Sequence, residues 1–323
     1  MDSALFIIGS PFQCLCMLEA IKHFEISDYF VMVAYCDKLS LDKIRTLLNG
    51  KGITFEEKKI AHIVKDFIPM VFTKHKRYKN IFIGNYYRVI DEIVGVLYAK
   101  RRYTLYYLDD GTQALSLFSE KPRNRYSSFK IDIVLRFYFL CLSWKKRIST
   151  NFFTIYDVKS RRMKIIHNSL SCLRPNNSIS QQRVAIVGSN SSFLSFKDYT
   201  YFDYLNRLID FIRARWPDER VFYCPHRRDH NNSLNREWCQ YNSVDYFETE
   251  VSVEYDFVIK GVNPIAVIGF TSNALYTLKS LYPSSEVYTV YYHVCDESAD
   301  KETEIIRQQM MKSGIVSLNL TDE

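Results

Sequence analysis

Short apolar runs alternate with amphipathic stretches along most of this chain. Ala4–Gly9 (ALFIIG) reads as a strand, and Ser10-Pro11 as a helix N-cap followed by proline at the first helical position. Leu15, Leu18 and Ile21 then continue at helical spacing. Tyr29–Tyr35 (YFVMVAY) predicts a second strand and Leu41–Leu48 a short helix closed by Gly50. Asn80–Gly84 (NIFIG) predicts a third strand, and Tyr87–Leu97 a helix with Ile90, Ile93, Val94 and Leu97 on one face. In Tyr103–Leu115 (YTLYYLDDGTQAL) an apolar strand stops at Asp109-Asp110-Gly111, and a helical run begins at Thr112. Strands alternating with helices predict an α/β fold built on a parallel sheet covered on both faces.

The pattern loosens between about Pro122 and Ser180, and Leu173–Gln182 (LRPNNSISQQ), polar and aperiodic with one proline, reads as a linker. Alternation then restarts. Arg183–Gly188 (RVAIVG) predicts a strand and Tyr204–Arg215 a helix with Leu205, Leu208, Ile209 and Ile212 inward, ended by Trp216-Pro217. Val221–Cys224 predicts a strand, and Pro264–Phe270 another, followed by a helix carrying Leu275, Leu278 and Leu281. Glu286–Tyr292 predicts the next strand and Ser298–Lys312 a helix stopped by Gly314. Two such halves around a polar linker have the layout of a GT-B architecture. Two Rossmann-like domains, residues 1–175 and 176–323, would carry parallel sheets facing a central cleft.

Composition narrows the classes. At 323 residues the chain is long enough for two cores. Its 47% hydrophobic and 24% charged content, with 24 Tyr and 22 Phe, excludes a disordered or low-complexity protein. A net charge of +7 suits an anionic ligand such as a nucleotide, or an anionic membrane surface. Basic residues are spread out with no aromatic-interleaved stripe, so nucleic acid is not an expected partner. The eight cysteines lack paired C-x-x-C spacing, which predicts neither a zinc site nor a disulfide framework. Most lie in apolar runs, as Cys36 and Cys141 do, and are expected to pack as small core residues in a reducing cytoplasm. The start, MDSALFIIGSPFQ, lacks the basic n-region of a signal peptide. No stretch reaches the roughly 20 apolar residues of a spanning helix. Ile131–Trp144 comes nearest, and with the basic flank Lys145-Lys146-Arg147 it reads either as a core helix or as an interfacial anchor.

Open α/β sheets bind ligands at the carboxyl ends of their strands, so polar residues just past a strand are the candidates. Gly9, Ser10 and Gln13 follow the first strand; G-S-P-F-Q lacks the second and third glycines of the dinucleotide fingerprint and so does not say which ligand they would meet. Asp109 and Asp110, before Gly111, offer a general base for a hydroxyl. A plainer reading, with Asp109 ending the strand and Asp110 or Thr112 capping the helix, fits the same residues. Pro225-His226-Arg227-Arg228 can meet a phosphate with charge-assisted hydrogen bonds, and His226 can serve as a general acid; a solvated basic turn is the alternative. Thr271-Ser272 at a helix start, and the loop Gly188-Ser189-Asn190-Ser191-Ser192, can each bind an anion or simply cap a helix. Asp109-Asp110 is not a D-x-D pair, so no metal ion and no cofactor are expected.

Taken in order, Asp-Asp-Gly after a strand of the first half, a His/Pro pair after a strand of the second and a Ser/Thr pair opening a later helix resemble the bacterial sialyltransferases. Ser10-Pro11-Phe12-Gln13 is similar to the S-P-x-Q start of their lipopolysaccharide and capsule members. The resemblance spans the whole chain, through motifs of two or three residues. It implies a GT-B fold and inverting, metal-independent transfer of sialic acid from CMP-sialic acid to a glycan, galactose-terminated and lipid-linked, in surface-polysaccharide synthesis. The enzyme would be cytoplasmic, peripheral on the inner face of the membrane. In that family the acidic motif supplies the base, which falls on Asp109 or Asp110, and the histidine contacts the CMP phosphate and assists its departure, which falls on His226. The Ser/Thr pair binds the same phosphate, which falls on Thr271 and Ser272. The family usually has His before Pro, whereas here Pro225 precedes His226, leaving His230 as a weaker substitute. Transfer of another CMP-activated acidic sugar (Kdo or another nonulosonate) and non-catalytic nucleotide or glycan binding are the competing readings.

Overall fold

β1 (Ala4–Ile8) is buried at every position, as a strand covered on both faces must be. It is an interior strand, third in a seven-stranded sheet ordered β3-β2-β1-β4-β5-β6-β7. The other strands are β2 (Tyr29–Tyr35), β3 (Phe55–Lys59), β4 (Tyr78–Ile83), β5 (Ala99–Leu108), β6 (Lys146–Thr154) and β7 (Lys164–His167), and every pairing is parallel. A second, six-stranded parallel sheet is ordered β10-β9-β8-β11-β12-β13. It comprises β8 (Gln182–Val187), β9 (Arg220–Cys224), β10 (Asp245–Tyr246), β11 (Asn263–Gly269), β12 (Glu286–Val290) and β13 (Val316–Leu318). This computed structural model describes residues 3–60, 76–111, 144–161, 163–173, 182–189, 196, 199–226, 229 and 232–320. Contacts divide the chain into two units, Met1–Cys172 and Leu173–Glu323, one sheet in each.

Both sheets are doubly wound. In the first, the chain runs outward from β1 through β2 to β3, then returns to β4 and runs outward the other way. β8 and β11 stand in the same relation in the second. The order therefore reverses between β1 and β4 and between β8 and β11, and the carboxyl ends there open the crevices in which such sheets take ligands.

Local signals account for most helices. Ser10 caps Pro11–His23 by accepting from the Gln13 N–H at 3.2 Å. The helix expected from Tyr204 starts at Tyr201, because Thr200 and Asp203 close a reciprocal capping box. The elements without a sequence signal are the charged or short ones. β3 (FEEKK) and β7 are edge strands with no fully buried position, and only the last four residues of β6 are buried. The helices Asn232–Tyr241 and Val253–Ile259 and the short strands β10 and β13 likewise lie outside the predicted elements.

One expectation is corrected. Cys36 is exposed, with the Arg88 guanidinium 3.9 Å from its sulfur, because it lies just past the buried part of β2; Cys14, Cys16, Cys224 and Cys239 are buried, and Cys141 falls outside the described residues. In the flank Lys145-Lys146-Arg147 the side chains have different surroundings. Lys145 is buried and donates to the carbonyls of Val96, Leu97 and Ala99 at 2.6, 2.7 and 2.7 Å, capping the end of the helix Val89–Tyr98. Arg147, on the exposed part of β6, pairs with Glu92 of the same helix at 3.1 Å. Of Ile131–Trp144 only Trp144, which is exposed, lies within the described residues.

The end of the first unit is tied back to its first helix. Glu19, 2% exposed, accepts from the Cys172 N–H at 2.5 Å and the Ser171 hydroxyl at 3.3 Å. Glu19→Ala leaves that N–H without its partner and is expected to lower stability by about 2 kcal/mol, with Glu19→Gln costing less. A denaturant midpoint unchanged in the alanine variant would show that the tie contributes nothing.

Candidate functional site

In the first unit the candidates converge on the carboxyl edge of the sheet at the β1–β4 reversal. The chain leaves β1 through Gly9 and Ser10, and the first helical turn places Gln13 directly behind them. Gln13 is 2% exposed, and each end of its amide is committed. Its Oε1 accepts from the Gly9 N–H at 2.7 Å, and its Nε2 donates to Asp110 Oδ1. The amide lies so close to Gly84, just past β4, that any Cβ there would collide with it. Gly9, Ser10, Gln13 and Asp110 thus form one hydrogen-bonded group, although Gln13 and Asp110 are 97 residues apart.

The two aspartates have different surroundings. Asp109 is 0% exposed; one carboxyl oxygen accepts from Thr154 Oγ1 at 2.6 Å and the other from the Ile155 N–H at 2.8 Å. It pins the end of β5 to the end of β6. Burial pushes its carboxyl up to about 7, against the two hydrogen bonds, and the charge of Asp110 adds to the rise. Asp110, next along the backbone, turns to the opposite side and is half-exposed. Gly111 then adopts φ 80°, the left-handed conformation that glycine takes without strain. Arg88 adds a cation to this edge. Its Nε donates to the buried Asp91 at 2.6 Å, and its charge reaches Asp110. Burial lifts Asp91 to about 6, opposed by Arg88.

The second unit repeats the arrangement at the β8–β11 reversal. Gly188 follows β8 and donates its N–H to the Cys224 carbonyl at 2.8 Å, joining the ends of β8 and β9. Ser189 donates its N–H to the Tyr201 hydroxyl at 3.0 Å, and that hydroxyl meets Tyr223 Oη at 2.9 Å. Burial raises both phenols, so they stay neutral hydrogen-bonding groups beneath the loop. Pro225 and His226 follow β9 and are half-buried. The turn is held where the His226 carbonyl accepts from the Asp229 N–H at 2.9 Å, and buried Asp229 accepts from Asn235 Nδ2 at 2.9 Å. Thr271 and Ser272 follow β11. Ser272 caps the helix Asn273–Leu281, its hydroxyl accepting from the Ala274 N–H at 3.3 Å. Both residues are half-buried at the carboxyl edge, although the Thr271 hydroxyl oxygen itself is buried beside Tyr292.

Each described candidate therefore stands at the carboxyl edge of its own sheet. Asn190, Arg227 and Arg228, with Ser191, Ser192, Thr112 and His230, lie outside the described residues. Arg88, Asp229 and a Tyr291–His293–Asp300 cluster past β12 escaped the sequence reading. The signal that could have found the last is a histidine placed, like His226, just beyond a strand.

Two parallel, doubly wound units with polar groups at both reversals define the GT-B class of fold. No protein-family model and no curated protein sequence matches the chain. Among solved structures it is similar to an α/β-galactoside α-2,3-sialyltransferase from Photobacterium phosphoreum, with a TM-score of 0.59 and 14% identity over 100% of both chains. It is similar also to a Photobacterium 2,6-sialyltransferase solved with CMP and lactose, with a TM-score of 0.54 and 14% identity over 99% of this chain and 79% of that one. A UDP-N-acetylglucosamine 2-epimerase shares the architecture as well, with a TM-score of 0.56 and 13% identity over 99% and 84% of the two chains.

Proposed function

We propose that this chain is a sialyltransferase that moves sialic acid from CMP-sialic acid to a glycan hydroxyl with inversion. The observation that carries the reading is the division between the adjacent aspartates: Asp109 is consumed in holding β5 to β6, while Asp110 is held half-exposed at the sheet edge by Gln13. A carboxylate so placed suits deprotonation of an acceptor hydroxyl. That proton passes to Asp110 as the acceptor oxygen bonds to the anomeric carbon, and the bond from that carbon to the phosphate oxygen breaks with its electron pair leaving on CMP. His226, Thr271 and Ser272 would receive the phosphate, with Arg227 and Arg228 adding charge. The similarity to a sialyltransferase captured with CMP and lactose supports a nucleotide-sugar donor and a glycan acceptor.

We further propose a lipid-linked acceptor of surface-polysaccharide synthesis at the inner face of the cytoplasmic membrane, with no divalent ion required. Among the described residues no helix is long and apolar enough to cross a membrane. The test is a donor screen with CMP, CDP, UDP and GDP and their sugars, in the presence of EDTA. Thermal stabilisation by CMP and consumption of CMP-sialic acid with a galactose-terminated acceptor are the expected results. Preference for UDP, or release of an epimerised sugar without any acceptor, would replace the reading with epimerase chemistry. Loss of activity in EDTA would overturn the metal-independent step.

A further inference from the structure

A second polar cluster stands beside the Thr271–Ser272 turn. Tyr291, Tyr292 and His293 follow the last residue of β12, and the parallel register that sets Gly269 against Thr289 carries Tyr291 level with Thr271. Tyr292 turns into the core against Phe270, at 5.5 Å between ring centroids. Its neighbours on either side turn outward and are half-buried. His293 Nδ1 lies 3.1 and 3.2 Å from the two oxygens of Asp300, and its Nε2 lies 2.7 Å from Tyr291 Oη. Asp300 also accepts from the Val294 N–H at 3.0 Å, which locks the loop to the start of the helix Glu297–Lys312.

This chain of contacts has a direction. A carboxylate only accepts, so Nδ1 carries the proton facing Asp300. Nε2 then accepts from the Tyr291 hydroxyl, or, when the ring is charged, donates to it and leaves the phenolic hydrogen free to point elsewhere. Arg307 stacks its guanidinium on the Tyr291 ring at 3.9 Å and pairs with Glu304. The His293 and Asp300 side chains are 41% and 31% exposed at the ligand edge of the sheet.

We propose that the Tyr291 hydroxyl, its hydrogen freed by the charged His293 imidazole that Asp300 orients, hydrogen-bonds an anionic group of the nucleotide-sugar donor beside the Thr271–Ser272 turn. The inference rests on the reading that this unit binds the donor. Two donor groups have the right chemistry, the phosphate and the sugar carboxylate. Tyr291 is the contact; His293, which frees and orients its hydroxyl, and Asp300, which accepts from the imidazole and the Val294 N–H, are positioning residues.

The test is calorimetric titration of the full chain and of Tyr291→Phe, His293→Gln and Asp300→Asn with cytidine, CMP and CMP-sialic acid. The expected result is cytidine affinity unchanged, which also reports an intact fold, with CMP affinity about tenfold weaker in the first two variants. Asp300→Asn should show a smaller loss of the same kind. A loss confined to CMP-sialic acid would assign the carboxylate instead of the phosphate. Equal binding of all three ligands by every variant, or equal weakening of all three including cytidine, overturns the proposal. If the parent chain ignores cytidine nucleotides and binds UDP, the proposed donor fails on its own, and the same variants measured with uridine and UDP decide the contact. A parent chain that binds no nucleotide overturns both.

Discussion

Asp110→Asn is expected to lower transfer by about 10³-fold, within the range for removing a positioned general base, while CMP affinity stays unchanged. The substitution is chosen because it separates chemistry from structure. An asparagine keeps the size of the side chain and still offers an oxygen to the Gln13 amide, so the hydrogen-bonded group at the β1–β4 reversal is retained. What it cannot do is take a proton. The loss should appear in kcat more than in the acceptor KM, since the group acts on the transferring proton and not in holding the sugar. Gln13→Ala, which frees Asp110 without neutralising it, is expected to cost less. Turnover surviving in Asp110→Asn would move the base elsewhere, and loss of CMP binding in that variant would show the carboxylate to be structural.

Asp109→Ala is expected to unfold the first unit more easily, by about 3 kcal/mol, because the buried Ile155 N–H and Thr154 hydroxyl lose their acceptors. Its pH signature is distinct. The folded-state value, about 7, lies above the roughly 4 of an unfolded aspartate, so the native state holds the proton more tightly. That contribution is fully present below about pH 4 and is lost as pH rises through 7, on the order of 4 kcal/mol in all. Asp91, raised to about 6, pulls in the same direction. Melting temperature should therefore fall as pH goes from 5 to 7.5. Asp109→Asn, with no proton to lose, should flatten that slope to the part due to Asp91. A slope identical in the parent and in Asp109→Asn would remove Asp109 as its source.

These opposite roles for neighbouring residues show where sequence reading stops. Along the chain, Asp109 and Asp110 are equivalent: both follow an apolar strand and both precede a glycine. They diverge because β6 pairs with β5 and delivers Thr154 and Ile155 to Asp109 from 45 and 46 residues away, and β6, half-exposed and opening on Lys146-Arg147, has little apolar pattern to announce it. The Tyr291–His293–Asp300 contacts span only a few residues, yet they too depend on the strand ending at Val290 and on the next helix beginning with its Asp300 turned back.

Strand and helix positions, the Ser10 and Ser272 caps and the placing of polar residues just past strands follow from local rules: apolar periodicity, capping preference and the φ values open to glycine and proline. Those rules act over a few residues, so they are written wherever the residues are. Which strand lies beside which, and hence which aspartate is buried and which faces outward, depends on pairings between segments far apart in the chain. Burial and the long-range hydrogen bonds from Thr154, Ile155 and Gln13 exist only once the sheet has formed, and they make one of two identical side chains a structural tie and leave the other as the candidate base.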